Sequence, residues 1–126
     1  GYADASQAGT LGTVAVGVGA TFVPYSPEAA AAVADASPLE EGRSAGDLAI
    51  AIDRTTEEAG VYPIILISYL IGCEEYADKA VAPLVKGFFE YAISAEGQDA
   101  AAASAGSAPI SSKLREQASA AIALIK

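Results

Sequence analysis

Three adjacent carboxylate pairs could in principle move protons: Glu40-Glu41, Glu57-Glu58 and Glu74-Glu75. Acid–base catalysis by two carboxylates needs them to face each other across a substrate. Neighbours in sequence point different ways, and each pair falls in a polar stretch, so none is expected to form a dyad. Cys73 is the one cysteine. Glu74 and Glu75 follow it directly, and acidic neighbours disfavour a thiolate, so Cys73 reads as structural. Gly17-Val18-Gly19 resembles part of a phosphate cradle, which needs a strand before it and a helix after it. Another strand follows here, and the glycines read as a hairpin turn. Ser26-Pro27-Glu28 opens a helix whose bare N–H groups could face an anion, as those of any capped helix could. Tyr62 and Tyr69 flank the most apolar stretch and read as core residues with hydrogen-bonded hydroxyls.

Composition removes further chemistries. The 126 residues include no His, which excludes a Ser-His-Asp or Cys-His triad, the usual imidazole base and most zinc sites. A single Cys makes neither an internal disulfide nor a thiolate cluster. No catalytic residue, cofactor or metal is therefore expected, and the chain reads as a non-enzyme. With 16 acidic residues against 7 Lys+Arg, the net charge of −9 repels phosphate backbones and argues against a nucleic-acid partner.

These groups need a body to hold them. At 52% hydrophobic and 18% charged residues, the chain is too apolar for disorder and long enough for one ordinary core. It has 30 Ala and neither Met nor Trp, which suggests a high-GC source and an α/β body. The opening residues show no n-region followed by an h-region, so no signal peptide is expected in this stretch. The absence of an initiator Met leads to the expectation of a fragment of a longer chain, or of a processed one. The longest apolar stretch, Val61 to Cys73, has 13 residues where a lipid span needs about 20.

Val14, Val16 and Val18 alternate with small residues and predict a strand, with a tight turn bracketed by Gly17 and Gly19 and a return strand over Thr21–Pro24. Gly1-Tyr2-Ala3 reads as the end of an earlier strand. Ser26 caps a helix with Pro27 at its first position, running to Ala36 and stopping at Ser37-Pro38. Leu39 to Gly46 is a solvated loop, and Leu48-Ile50-Ile52 predicts a short strand, with a helical turn as the competing reading. The run Tyr62 to Ile71 lacks alternation and predicts a central strand covered on both faces, with Pro63 at its edge. Asp78 can cap a helix with an apolar stripe of Val81, Leu84, Val85, Phe88, Phe89 and Ile93; Pro83 and Gly87 weaken its first half, which leaves room for a start later than Asp78. A second helix runs from Ser94 to about Ala105, with Gly106 as its stop. Ser111 or Ser112 caps a last helix whose buried face is Leu114, Ala118, Ala121, Ile122 and Ile125. Charge splits as −7 over residues 1–60 and −2 over 61–126, a break near Gly60.

The order of the segments resembles one family. Gly1-Tyr2-Ala3-Asp4 is followed by the run from Phe22 to Ala30, then by Leu48-Ala49-Ile50-Ala51-Ile52-Asp53, then by Ala59-Gly60-Val61-Tyr62-Pro63 through Cys73. Downstream come Val85 to Ala92, Ser94-Ala95-Glu96-Gly97-Gln98 and Ser107-Ala108-Pro109-Ile110. The whole chain is similar to the C-terminal part of actinobacterial PstS-type phosphate-binding proteins, the substrate-binding lipoproteins of phosphate ABC importers. The resemblance implies part of a two-lobed type II periplasmic-binding-protein fold, a mixed β-sheet with packed helices. Residues 1–58 would belong to the middle lobe, 59–63 to a hinge crossing, and 64–126 to a return into the first lobe. It implies an extracytoplasmic, cell-surface lipoprotein that binds inorganic phosphate and delivers it to a membrane permease. The family's phosphate ligands, including its Ser-Gly-Thr motif, lie upstream of the stretch matched here. No phosphate-binding residue is carried over, and Arg43, Arg54 and Arg115 lie outside the family's arginine context.

Two other readings compete. One is a stand-alone acidic α/β interaction module that self-associates through the strand 64–71. The other is a hydrolase using carboxylates alone. A fragment would expose bare edges and apolar faces, and is expected to self-associate by swapping elements or to stay bound to the missing N-terminal portion.

Overall fold

The computed structural model describes all 126 residues, a small α/β fold of four helices and one two-stranded antiparallel sheet. The strands β1 (Val16–Val18) and β2 (Thr21–Val23) pair with Val16 opposite Val23 and Val18 opposite Thr21. The turn between them is Gly19-Ala20. Gly19 has φ +55°, where an L side chain is strained, and a Cβ there would lie 3.0 Å from the Glu57 carbonyl oxygen. Gly17 lies inside β1 and does not bracket the turn. Gly1-Tyr2-Ala3 is not a strand. A single 3₁₀ turn follows at Ala5–Gln7, where the Asp4 carboxylate accepts from the Ser6 N–H and hydroxyl.

Helix α1 spans Pro27–Ala36, the bounds its capping residues dictate. Ser26 Oγ accepts from the Ala29 N–H at 3.1 Å, and Pro27 gives up an N–H that would be unpaired anyway. Pro38 blocks continuation, and the Ser37 hydroxyl turns back to the Val33 carbonyl. Ala29, Ala30, Val33 and Ala34 form its buried face. Ala29 packs with Val18 and Val23 of the hairpin, flanked by Val16 and Tyr62.

The middle of the chain departs most from expectation. The Leu48–Ile52 strand reduces to one bridge between Leu39 and Ile50, made by Glu40 N–H to Ala49 O and Ala51 N–H to Pro38 O, both 2.8 Å. The expected central strand is not paired, and no mixed sheet forms. From Val61 to Cys73 the backbone runs without turn or bend until it passes Cys73, yet no segment lies beside it as a strand. A β-ladder belongs to two segments at once, and an apolar run supplies only one of them.

Three helices follow. α2 (Val81–Ile93) starts later than Asp78, because the Asp78 carboxylate holds the Ala80 N–H in a local turn. Pro83 sits in the first turn, where a missing N–H costs no helical hydrogen bond. α3 (Ala95–Ala105) is capped by Ser94 and ends at Gly106 with φ +66°. α4 (Ser112–Ile122) is capped by Ser111. Ala82, Ile122 and Ile125 form a second small core, with Tyr76, Val85, Phe89 and Ile93 against it. Leu84 and Phe88, assigned to the same stripe, face solvent. A tie between the two ends runs from α1 to α4: the Ser111 hydroxyl donates to the Asp35 carboxylate at 2.6 Å, and Lys113 Nζ donates to the Asp35 carbonyl at 2.9 Å.

The two cores are thin. Only 12 of the 126 residues are buried, and the accessible surface is 8274 Å². A compact monomer of 12.6 kDa has about 6,200 Å² by the usual size scaling.

Candidate functional site

The candidate groups for chemistry do not converge. Glu40 is held by Arg43, which bridges it at 2.7 Å and Asp47 at 2.8 Å on the solvent side of the loop. Glu41, Glu57, Glu58, Glu74 and Glu75 are exposed, and no cluster of three potential metal ligands forms. Cys73 is exposed, with its backbone N–H donating to the Tyr76 hydroxyl at 2.9 Å. Gly17-Val18-Gly19 is hairpin, as its sequence setting predicts. Of the N–H groups at the start of α1, that of Ala29 is taken by Ser26.

The tyrosines divide. Tyr62 is packed on the hairpin core and meets Tyr25 edge-on, with ring centres 6.2 Å apart. Tyr69 is 47% exposed, so it is not a core residue, although its hydroxyl does accept a hydrogen bond, from the Ile50 N–H at 2.9 Å.

What the fold presents is the apolar segment itself. Along 64–68, exposed and half-buried residues alternate. Val61 and Pro63 are buried, and Ile65 and Ile67 lean inward; Ile64, Leu66 and Leu70 are exposed, Leu66 to 81%. Every backbone N–H from Ile64 to Gly72 lacks a protein partner. The segment borders a cavity of about 1830 Å³ with a mostly hydrophobic lining, which also reaches Leu11, Phe89 and Ile110. Small-molecule sites are about 300–1,000 Å³ and focus a few polar groups on the ligand. This space is larger and carries no such focus.

Sequence reasoning missed the role of Arg54. Its guanidinium donates through Nη1 to the Pro63 carbonyl at 2.9 Å and through Nη2 to the Ile65 carbonyl at 3.1 Å. It clamps one edge of the apolar segment. No spacing rule marks such an arginine, because the clamp forms through a loop and not within an element. Arg43 is spent on its two carboxylates, and the buried Arg115 Nε has no partner.

No helix is long and apolar enough to cross a membrane. Compared with protein-family models, with curated proteins and with solved structures, the chain matches none.

Proposed function

We propose that this chain is the C-terminal part of an extracytoplasmic phosphate-binding subunit of an ABC-type importer, non-catalytic and without the phosphate ligands. The ordered resemblance along the sequence motivates this reading. One structural observation supports it: in the uncharged segment from Val61 to Cys73, the residues beyond Pro63 have no strand partner, and Ile64, Leu66, Leu70 and Ile71 are exposed. In the two-lobed type II architecture such a segment returns from the hinge at 59–63 into the sheet of the first lobe. There its amides and side chains meet strands and helices contributed by the N-terminal portion. On this reading residues 1–58 belong to the middle lobe, the partner in transport is a membrane permease, and the site of action is the cell surface.

The test is phosphate calorimetry on the 126-residue chain and on the same chain joined to the upstream portion of its own polypeptide. The chain alone should give no saturable heat with inorganic phosphate. The joined protein should bind one phosphate and should discriminate against sulfate. Stoichiometric phosphate binding by the chain alone would refute the absence of ligands here, and a joined protein indifferent to phosphate would refute the transport reading.

A further inference from the structure

In extended backbone, the N–H and C=O of alternate residues point to opposite edges. The odd-numbered edge of the apolar segment is obstructed. Pro63 has no N–H, Arg54 occupies the carbonyls of Pro63 and Ile65, and the Tyr76 hydroxyl takes the N–H of Cys73. The even-numbered edge is open. It is closed off at one end, where the Tyr62 N–H donates to the Ala29 carbonyl at 3.0 Å. Beyond that point the N–H and C=O of Ile64, Leu66, Ser68 and Leu70 have no partner within the chain. One edge is guarded and the other is ready to accept a strand.

We propose that the occupant of this edge is a second copy of the same chain, paired antiparallel about a twofold axis at Ile67. In that register Ile64 lies opposite Leu70 of the second copy, and Leu66 lies opposite Ser68. All four even-numbered residues of each copy exchange hydrogen bonds, and the two Ile67 residues meet at the axis as a non-hydrogen-bonded pair. Three observations favour a copy over other occupants. The register is self-complementary, as a twofold interface requires. The segment from Val61 to Cys73 carries no charge in a chain of net −9, so antiparallel pairing places no like charges across the ladder. Over the whole chain the accessible surface exceeds that of a compact monomer by about 2,000 Å², which leaves room for the about 800 Å² per partner that a stable interface buries. Arg54 on each outer edge ends the sheet, so assembly closes at two. The inference is drawn for the 126-residue chain; with the upstream portion of the proposed function joined, its strands would take the same edge and the pairing would be lost.

The test is sedimentation equilibrium of the full 126-residue chain with paired proline variants. Ser68→Pro removes an N–H from the open edge and Ile67→Pro removes one from the guarded edge. Neither N–H has an intramolecular partner, so neither change breaks a hydrogen bond within one copy. A reversible monomer–dimer equilibrium is expected. Ser68→Pro removes two ladder bonds per dimer and should weaken it about thirtyfold. Ile67→Pro should change it by a few-fold at most. Amide exchange on the unaltered chain gives a second readout. In the dimer Ile64, Leu66, Ser68 and Leu70 should exchange slowly, and Ile65, Ile67 and Tyr69 rapidly. A monomer at every concentration overturns the proposal. So does a dimer without the even–odd contrast, or an edge that becomes protected only when another polypeptide is added.

Discussion

Gly97 shows how one missing side chain fixes the junction of two helices. A Cβ at this position would fall on the Tyr91 carbonyl, while the Gly97 N–H donates to the capping Ser94 Oγ at 3.1 Å. Gly97→Ala must push α3 off α2, and is expected to cost about 1–3 kcal/mol of stability in chemical denaturation. Ser26→Ala loses the cap on α1 and should cost about 1 kcal/mol in the same assay. On the exposed loop, the hydrogen bond from Arg43, followed by that from the Ala49 N–H, holds the Asp47 carboxyl below its usual range. The Asp53 carboxyl is lowered instead by the Thr55 hydroxyl and N–H. A carboxylate depressed in the folded state contributes stability above its unfolded pKa, and loses it as pH falls through the folded value. Arg43→Gln should therefore raise the Asp47 titration midpoint seen by carbon-detected NMR and leave that of Asp53 in place.

Among the elements, those set by neighbours along the chain could be read from sequence. The bounds of α1 follow from Ser26, Pro27 and Pro38, and α3 and α4 follow from Ser94, Gly106 and Ser111. The hairpin was legible for the same reason, since its turn glycine lies beside both strands. Leu48–Ile52 and Tyr62–Ile71 were not. Their alternation and apolarity describe what a strand offers, but pairing depends on segments that this chain does not place beside them. The α2 stripe was half legible, because periodicity marks Leu84 and Phe88 as apolar without saying whether anything covers them. Ile122→Ala should cost about 2–4 kcal/mol, as for a packed core residue. Leu84→Lys, at a position 74% exposed, should change stability by less than about 0.5 kcal/mol. If the two-lobed reading holds, the same Leu84→Lys change becomes costly once the upstream portion is joined. The Arg54 clamp escaped reading because its partners are backbone carbonyls. Removing it with Arg54→Ala opens the second edge, and species larger than a dimer should appear in light scattering.

For the molecule as a whole, exposed surface decides how it unfolds. An unfolded chain of this mass exposes about 18,000 Å², so folding to 8274 Å² hides about 10,000 Å² where a compact domain hides about 12,000 Å². Heat capacity and denaturant sensitivity both scale with the area exposed on unfolding. For 126 residues the ordinary heat-capacity change is about 1.5–1.9 kcal/mol/K. At concentrations low enough to keep the chain monomeric, calorimetry should give a value about a sixth smaller, and the urea m-value should fall in proportion. Raising the concentration lets the open edge pair, which adds buried area and ties the midpoint to concentration by mass action. The two quantities must therefore rise together. A heat-capacity change at the full compact value in dilute solution would mean that the Ile64–Ile71 face is already covered within one chain. It would remove the physical basis for both the proposed two-lobed reading and the proposed second copy.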